Sequence, residues 1–328
     1  MSTAGAAGAT APAGAAGTTA PAGRIIVVGD ILTDVLAVFS GPPALGTDTP
    51  ARIELTGGGS AANTAAWLAS LRVPVTLVGV VGRDAAGADR LDELDATGVD
   101  CAVRRTSEAS TGTVVVLSAD GERTMLTDRG ANFLLSTVDI DAALAGAPEA
   151  IHLHLSGYVL LDEGSRSAGR YALRAAHERG LTTSVDAASA APLREMGGDV
   201  FLAWVRGADL LLANADEAAA LPAALAEHVR YAVVKLGPHG AAWTSLDSPR
   251  VEVPAEPAHE VDVTGAGDAF AAGLLAAWCS GADPVEALRA GTRLGARAVS
   301  AAGARPAPTS RLLAAADPHP APSLAQSS

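Results

Sequence analysis

Apolar residues run through this chain in short unbroken blocks. "RIIVVG" (24–29), "VTLVGVVG" (75–82), "IHLHLSG" (151–157), "TTSVDA" (182–187), "DLLLAN" (209–214) and "YAVVKLG" (231–237) are rich in Val, Ile and Leu. Each ends in glycine or a small or polar residue, which predicts strands buried on both faces. Helix-like segments lie between several of them, at 60–71, at 87–98 with Gly98 as a C-terminal cap, and at 165–179. Two long helices, near 266–279 and 284–301, close the pattern, after "AAWTS" and "RVEVP" as antiparallel additions. Repeated strand–helix alternation of this kind predicts an α/β fold of three layers, a mostly parallel central sheet with helices on both faces. Two stretches break the alternation: 35–57, and a hairpin over 112–127 in which "TVVVLSA" and "RTMLT" flank "DGE" (120–122). They predict a small β-layer over the site, a lid.

The ends of the chain carry no such pattern. Residues 1–23 are an Ala/Gly/Pro/Thr tract with nothing to bury and read as disordered. The tail, 307–328, reads the same way apart from a short helix at "SRLLAAA". The folded unit is therefore 24–306. With 23 basic against 36 acidic residues the chain has a net charge of −13, which argues against nucleic acid or an anionic membrane surface as partner. Cys101 and Cys279 are too few for a disulfide framework and read as small apolar residues in a reducing compartment. No apolar run reaches membrane-spanning length, and the N-terminal tract lacks the basic start and leucine-rich core of a signal peptide, so the expected location is cytoplasmic.

In open parallel sheets ligands bind beyond the carboxyl ends of the strands. Asp30, Asp34, Asp186, Asn214 and Gly237 all fall there. The most unusual stretch of the chain is "DVTGAGDAF" (262–270), where Asp262 and Asp268 flank a glycine turn that opens a helix. Amides near Gly265, Ala266 and Gly267 would lack helical partners and form an anion site. Asp268 beside them then has two readings, a helix cap or a general base serving an attacking hydroxyl. Those nine residues leave both open. They are not a Walker A loop, because no Gly-Lys-Ser/Thr follows, and the glycine spacing is wrong for a dinucleotide fingerprint. A second glycine cluster, "TGGGSAANTAAWL" (56–68), also leads into a helix, with Gly58, Gly59 and Asn63 suited to a small polar ligand.

Together the clusters resemble the ribokinase-like, or PfkB, family of carbohydrate kinases. "GGSAANTA" (58–65) is similar to its N-terminal signature and "DVTGAGDAF" to its C-terminal one. "GDILTD" (29–34), "VGVVGRDAAG" (78–87), "DGERTMLTDRGAN" (120–132), "HLSGY" (154–158), "NADE" (214–217) and "KLGPHGA" (235–241) follow in the family's order, so the resemblance spans about 24–306. It implies a ribokinase-like fold with a β lid, and phosphoryl transfer from ATP, with Mg²⁺, to a hydroxyl of a small sugar or sugar acid.

Residue by residue, the resemblance makes Asp268 the base and Gly265, Ala266 and Gly267 the anion hole. It places Asp34, joined by Asp30, on substrate hydroxyls, with Gly58, Gly59, Asn63 and Asp262 around the substrate. Asn214, Lys235, Gly237 and Gly240 fall on the nucleotide side, Lys235 being the chain's single lysine. Glu217 matches a residue that holds Mg²⁺ through water. Asp262 also matches an acid that in some members helps hold a monovalent cation, but Ala307 stands where those members often have a hydroxyl, which argues against K⁺. Val263 replaces the usual Thr at a position whose role is mainly backbone. Arg129 reads equally as a phosphate contact or a surface ion-pair partner, and Asn132 falls beside it. His152 and His154 read as structural, while Asp186, at a strand end, has two readings, a structural residue or one that faces the phosphates. A homodimer through the lid is an arrangement the family often adopts. The alternatives are a nucleoside kinase of the same fold, disfavoured by 3% aromatic residues, and a silent sugar-binding regulator.

Overall fold

The computed structural model describes residues 23–119 and 122–306. The expectations for the N-terminal tract, the turn at 120–121, and the tail with Ala307 lie outside the described residues. Along the chain the elements are β1 (Arg24–Val28), β2 (Leu32–Phe39), β3 (Arg52–Gly58), α1 (Ser60–Ser70), β4 (Val75–Gly82), α2 (Ala85–Ala96), β5 (Asp100–Thr106), β6 (Gly112–Ala119) and β7 (Glu122–Asp128). Then come α3 (Thr137–Gly146), β8 (Ala150–Ser156), α4 (Tyr158–Leu161), α5 (Glu163–Glu178), β9 (Thr182–Asp186), α6 (Ala190–Met196), α7 (Gly198–Trp204), β10 (Leu210–Asn214) and α8 (Ala215–Ala220). The last are β11 (Tyr231–Lys235), β12 (Ala241–Thr244), β13 (Val251–Val253), α9 (Ala266–Trp278) and α10 (Pro284–Val299).

The large sheet has the order β13-β12-β11-β10-β9-β8-β1-β4-β5 and is parallel from β11 to β5. β12 and β13 extend it in antiparallel fashion. Strand β1 shows why its sequence is continuously apolar. Ile25 and Val27 point into a core with Trp67, Phe270, Leu274 and Leu288 of α1, α9 and α10. Ile26 and Val28 point the other way, into a core with Ile140, Leu160, Ala172 and Phe201 of α3, α4, α5 and α7. Successive side chains alternate faces, and both faces are covered.

A second, four-stranded sheet has the order β3-β2-β6-β7. Its β2 begins at Leu32, a little before the expected 35. Leu55 pairs with Val35, Val35 with Val115, and Val115 with Leu126, so these four share one face. Leu55, Leu126 and Ile53 on that face are all exposed. Asp34 is on the opposite face by alternation.

Strand β5 has no counterpart in the sequence-based reading. It is the edge of the large sheet, and its half-exposed "DCAVRRT" lacks the apolar run of the central strands. Cys101 on it is exposed. Helix α2 starts earlier than expected because Asp84 caps it, its Oδ1 accepting from Gly87 N at 2.8 Å. Gly98 follows that helix with φ 89°, as a C-terminal cap requires.

Candidate active site

The turn before α9 sets the site. Gly265 is its N-cap, with φ 75° and ψ 0°, and a Cβ there would overlap the Ala304 backbone, so both conformation and space demand glycine. Among the described residues no acceptor takes the amide protons of Gly265 or Gly267. Ala266, by contrast, donates to Val263 O at 3.2 Å, which corrects the expectation that its amide is open to a ligand.

Asp268 lies one residue beyond Gly267 in the first turn of α9 and is held by α1. Ser60 Oγ donates to its Oδ1 at 2.8 Å, and Asn63 Nδ2 donates to its Oδ2 at 3.0 Å. Burial pushes its carboxyl up to about 7, against the two hydrogen bonds, which favour the charged form; Asp186 adds to the rise and Lys235 opposes it. A carboxylate poised near neutrality, next to free amides, can accept a proton at neutral pH.

Helix α1 begins on Gly59, whose φ is 98°. Its first amides turn to Asp30: Ser60 N donates to Oδ2 at 3.0 Å and Ala61 N lies 3.5 Å from Oδ1. Ser156 Oγ also donates to Asp30 Oδ1 at 3.0 Å, and Arg129 lies 3.6 Å away. At 2% exposure, with these donors around it, Asp30 is a structural acceptor that anchors α1 rather than a partner of Asp34 on a ligand. Arg129 is likewise buried, pairing with Asp162 at 2.8 Å and lying over the Tyr158 ring at 4.5 Å, so it is neither at the surface nor free for phosphate. Asn132 clips the β1–β2 connection, exchanging hydrogen bonds with the Ile31 backbone at 2.9 and 3.0 Å.

Asp34 faces Gly58 so closely that a Cβ on Gly58 would overlap its carboxylate. Burial raises its carboxyl to about 6, while Arg305 and Arg90 pull the other way and Asp30 adds to the rise. Arg305, unmarked in the sequence-based reading, donates to Gly58 O at 2.8 Å and to Asn63 Oδ1 at 3.0 Å. Glu93 lies between Arg305 (3.3 Å) and Arg90 (2.5 Å).

On the other side of the turn, strand register brings Asp186, Asn214 and Lys235 to the carboxyl ends of β9, β10 and β11. Lys235 Nζ donates to Asp186 Oδ2 at 2.7 Å and lies 3.4 Å from where a Gly267 Cβ would stand. Burial alone would lower the Lys235 ammonium; Asp186, Glu217 and Asp268 hold it above its ordinary value. Asp186 is therefore part of the cluster, and no local motif marks it. Ala188, two residues on, has the strained φ of 71°. Asn214 and Glu217 form a reciprocal capping box at 2.7–2.8 Å. Glu217 is 4% exposed rather than solvated, and burial, with Asp186, raises its carboxyl. Gly237 and Gly240 bracket the turn after β11.

Asp262 is engaged within its own turn and with the C-terminal segment: its Oδ1 accepts from Thr264 N and Oγ1 at 3.0 and 2.7 Å, its Oδ2 from Gly303 N at 3.1 Å. Among the described residues no three His, Cys, Asp or Glu side chains gather as a metal cluster. His152 and His154 bond Thr182 and Ser184 at 2.7–2.9 Å, and burial drops them to about 3 and 4, so both are neutral core residues. A cleft of about 560 Å³ lined by Arg170, Arg174 and Arg206 contains none of these motif residues.

Residues 22–310 match the model of the pfkB family carbohydrate kinases. An ATP-dependent ribose-1-phosphate kinase of Halopiger xanaduensis is 35% identical over 301 residues, 89% of this chain and 97% of that protein. Among solved structures, an adenosine kinase from Sinorhizobium meliloti superposes with a TM-score of 0.77 at 25% identity, covering 90% of this chain and 99% of that one. The protein called ribokinase II from E. coli, in complex with ATP and Mg²⁺, has the same fold, with a TM-score of 0.77 at 24% identity over 86% and 94% of the two chains. Among the described residues no helix is long and apolar enough to cross a membrane.

Proposed function

Because this chain belongs to the PfkB family of carbohydrate kinases, we propose that it transfers a phosphoryl group from ATP to a hydroxyl of a small sugar or sugar derivative, with Asp268 as general base. The observation that carries the reading is the Asp268 carboxylate, raised to about 7 and held by Ser60 and Asn63 beside the open amides of Gly265 and Gly267. Substrate enters on the Asp34–Gly58–Asn63 side and ATP on the Lys235–Asn214 side. Asp268 takes the hydroxyl proton as the oxygen attacks. The amides of Gly265 and Gly267, with Lys235, receive the negative charge spreading over the transferred group.

Asp186 and Glu217 supply the hard oxygen donors that Mg²⁺ takes, and both are already hydrogen-bonded, so they suit a hydrated ion contacted through water. Bound there, Mg²⁺ would neutralise phosphate charge. The four-stranded sheet serves as lid, and its exposed face around Leu55 and Leu126 fits a homodimer. The relative from Halopiger puts phosphorylated pentoses among the substrates to test. A nucleoside is the alternative. Against it, the Tyr158 ring already carries Arg129 on one face and is not free to stack a base there.

The test is ADP release from Mg-ATP with pentoses, ribose phosphates, hexoses, sugar acids and nucleosides, with Asp268→Asn in parallel. Turnover on one class that collapses in the variant supports the reading. Undiminished turnover in Asp268→Asn, or ATP binding with no turnover on any class, overturns it.

A further inference from the structure

Asn63 stands between a group that can only donate and a group that can only accept. Arg305 Nε donates to its Oδ1 at 3.0 Å, and its own Nδ2 donates to Asp268 Oδ2 at 3.0 Å. A guanidinium has no acceptor and a carboxylate no donor, so the amide fits between them one way round. Asn63 is 5% exposed, so water has little access to replace either bond. Among the described residues Arg305 is the one donor to Oδ1, so without it the amide is held by its bond to Asp268 alone.

We propose that Arg305 is a positioning residue for phosphoryl transfer: by fixing the Asn63 amide it holds Asp268 in the geometry for taking the substrate proton. The inference rests on the reading of Asp268 as base. Arg305 is itself fixed from several sides. Its Nη2 donates to Gly58 O at 2.8 Å, and its Nη1 lies 3.3 Å from Glu93, which also holds Arg90. The preceding residue is tied to the same helix as Asn63, Trp67 Nε1 donating to Ala304 O at 2.9 Å. Ala304 also packs against Gly265, and Gly303 N donates to Asp262 at 3.1 Å. The segment 303–305 thus fastens the glycine turn of α9 to the glycine turn of α1, and Arg305 extends that fastening to the base. The guanidinium stays charged: burial lowers it only to about 10, with Glu93 and Asp34 supporting the charge and Arg90 opposing it.

Charged or titratable groups facing Asp268 are Lys235 on β11, Asp186 on β9, Tyr158 on α4 and Arg305; Ser60 and Asn63 on α1 are its neutral donors. Losing Arg305 removes a positive charge and loosens the Asn63 hydrogen bond, both of which favour ionised Asp268. The acid limb of the kcat profile must therefore move to higher pH.

The experiment compares Arg305→Met, which has no donors, with Arg305→Lys, which keeps a charge but not the planar fork. Asn63→Ala and the Asn63→Ala/Arg305→Met double variant complete a cycle, read as kcat against pH on whichever substrate the wild type accepts. The expected result is a loss of about 10- to 100-fold in kcat for Arg305→Met, its acid limb displaced upward, with partial recovery in Arg305→Lys. The double variant should be no slower than Asn63→Ala alone. If Arg305→Met does not fold, as its melting curve would show, Arg305→Lys against Asn63→Ala carries the same comparison. An unmoved acid limb, or losses that multiply in the double variant, overturns the positioning role while leaving Asp268 as base. Full turnover in Asp268→Asn instead overturns the kinase mechanism beneath it.

Discussion

Replacing Asp268 by Asn should cut turnover sharply and, at alkaline pH, make the protein more stable relative to wild type than it is at acid pH. Burial lifts the Asp268 carboxyl from 3.8 to about 7. The folded value lies above the unfolded one, so the folded protein binds this proton more tightly. Stability from the group is complete below about pH 4, is lost as pH rises towards 7, and is level above that. An amide does not ionise and escapes the loss. Between pH 5 and 7 the wild type pays about 1.36 kcal/mol per unit, or nearly 3 kcal/mol, which partial exposure of the carboxylate screens to about 2 kcal/mol. The amide introduced by Asp268→Asn can keep both contacts, its Oδ1 accepting from Asn63 and its Nδ2 donating to Ser60 Oγ, so the exchange of hydrogen bonds adds little that varies with pH. The pH-dependent part is therefore the clean readout. Melting curves of both proteins from pH 5 to pH 8.5 should show the difference shifting in favour of Asp268→Asn by about 4 °C. Turnover should fall by about 10²- to 10⁴-fold in the same variant. A difference in melting temperature that stays constant with pH would refute the raised carboxyl, and with it the physical basis for a base poised at neutrality.

Gly265→Ala forces a side chain into a backbone with φ 75° and into the Ala304 backbone; a loss of about 1–3 kcal/mol is expected in denaturant titration, and an unchanged midpoint would show that the turn can relax. Asp34→Asn should raise the KM for the sugar about 10- to 100-fold through a lost charged hydrogen bond, with the KM for ATP unmoved in steady-state kinetics; a shift in the ATP value would place Asp34 elsewhere. Leu55→Asp on the exposed face of the small sheet should convert a dimer to a monomer in sedimentation velocity, and a monomeric wild type would remove that role from the face.

The parts of this fold that are legible in sequence are those governed by local rules. β1 is continuously apolar because both its faces are covered, and Gly59 and Gly265 are glycines because their φ values demand it. The parts that are not legible depend on distant partners. Asp30 looks like a ligand group until α1 folds its first amides onto it. Asp186 joins Lys235 only through the register of β9, β10 and β11. Arg305 reaches Asn63 across 242 positions of sequence, and nothing near Arg305 announces that contact. The edge strand β5 was hidden for a different reason: with one face towards solvent, its arginines break the apolar run.

Lys235 is the chain's single lysine, and its amine lies beside Gly267 at the turn. Apart from the chain's own α-amino group, a reagent selective for primary amines has one side chain to find. Acylation of the intact protein should thus give at most one side-chain adduct, countable by mass. Its ion pair with Asp186 keeps the amine protonated and slow to react, and a nucleotide bound over it would shield it further. Occupancy of the nucleotide side would become readable as protection of a single amine, with no radiolabel and no coupled enzyme.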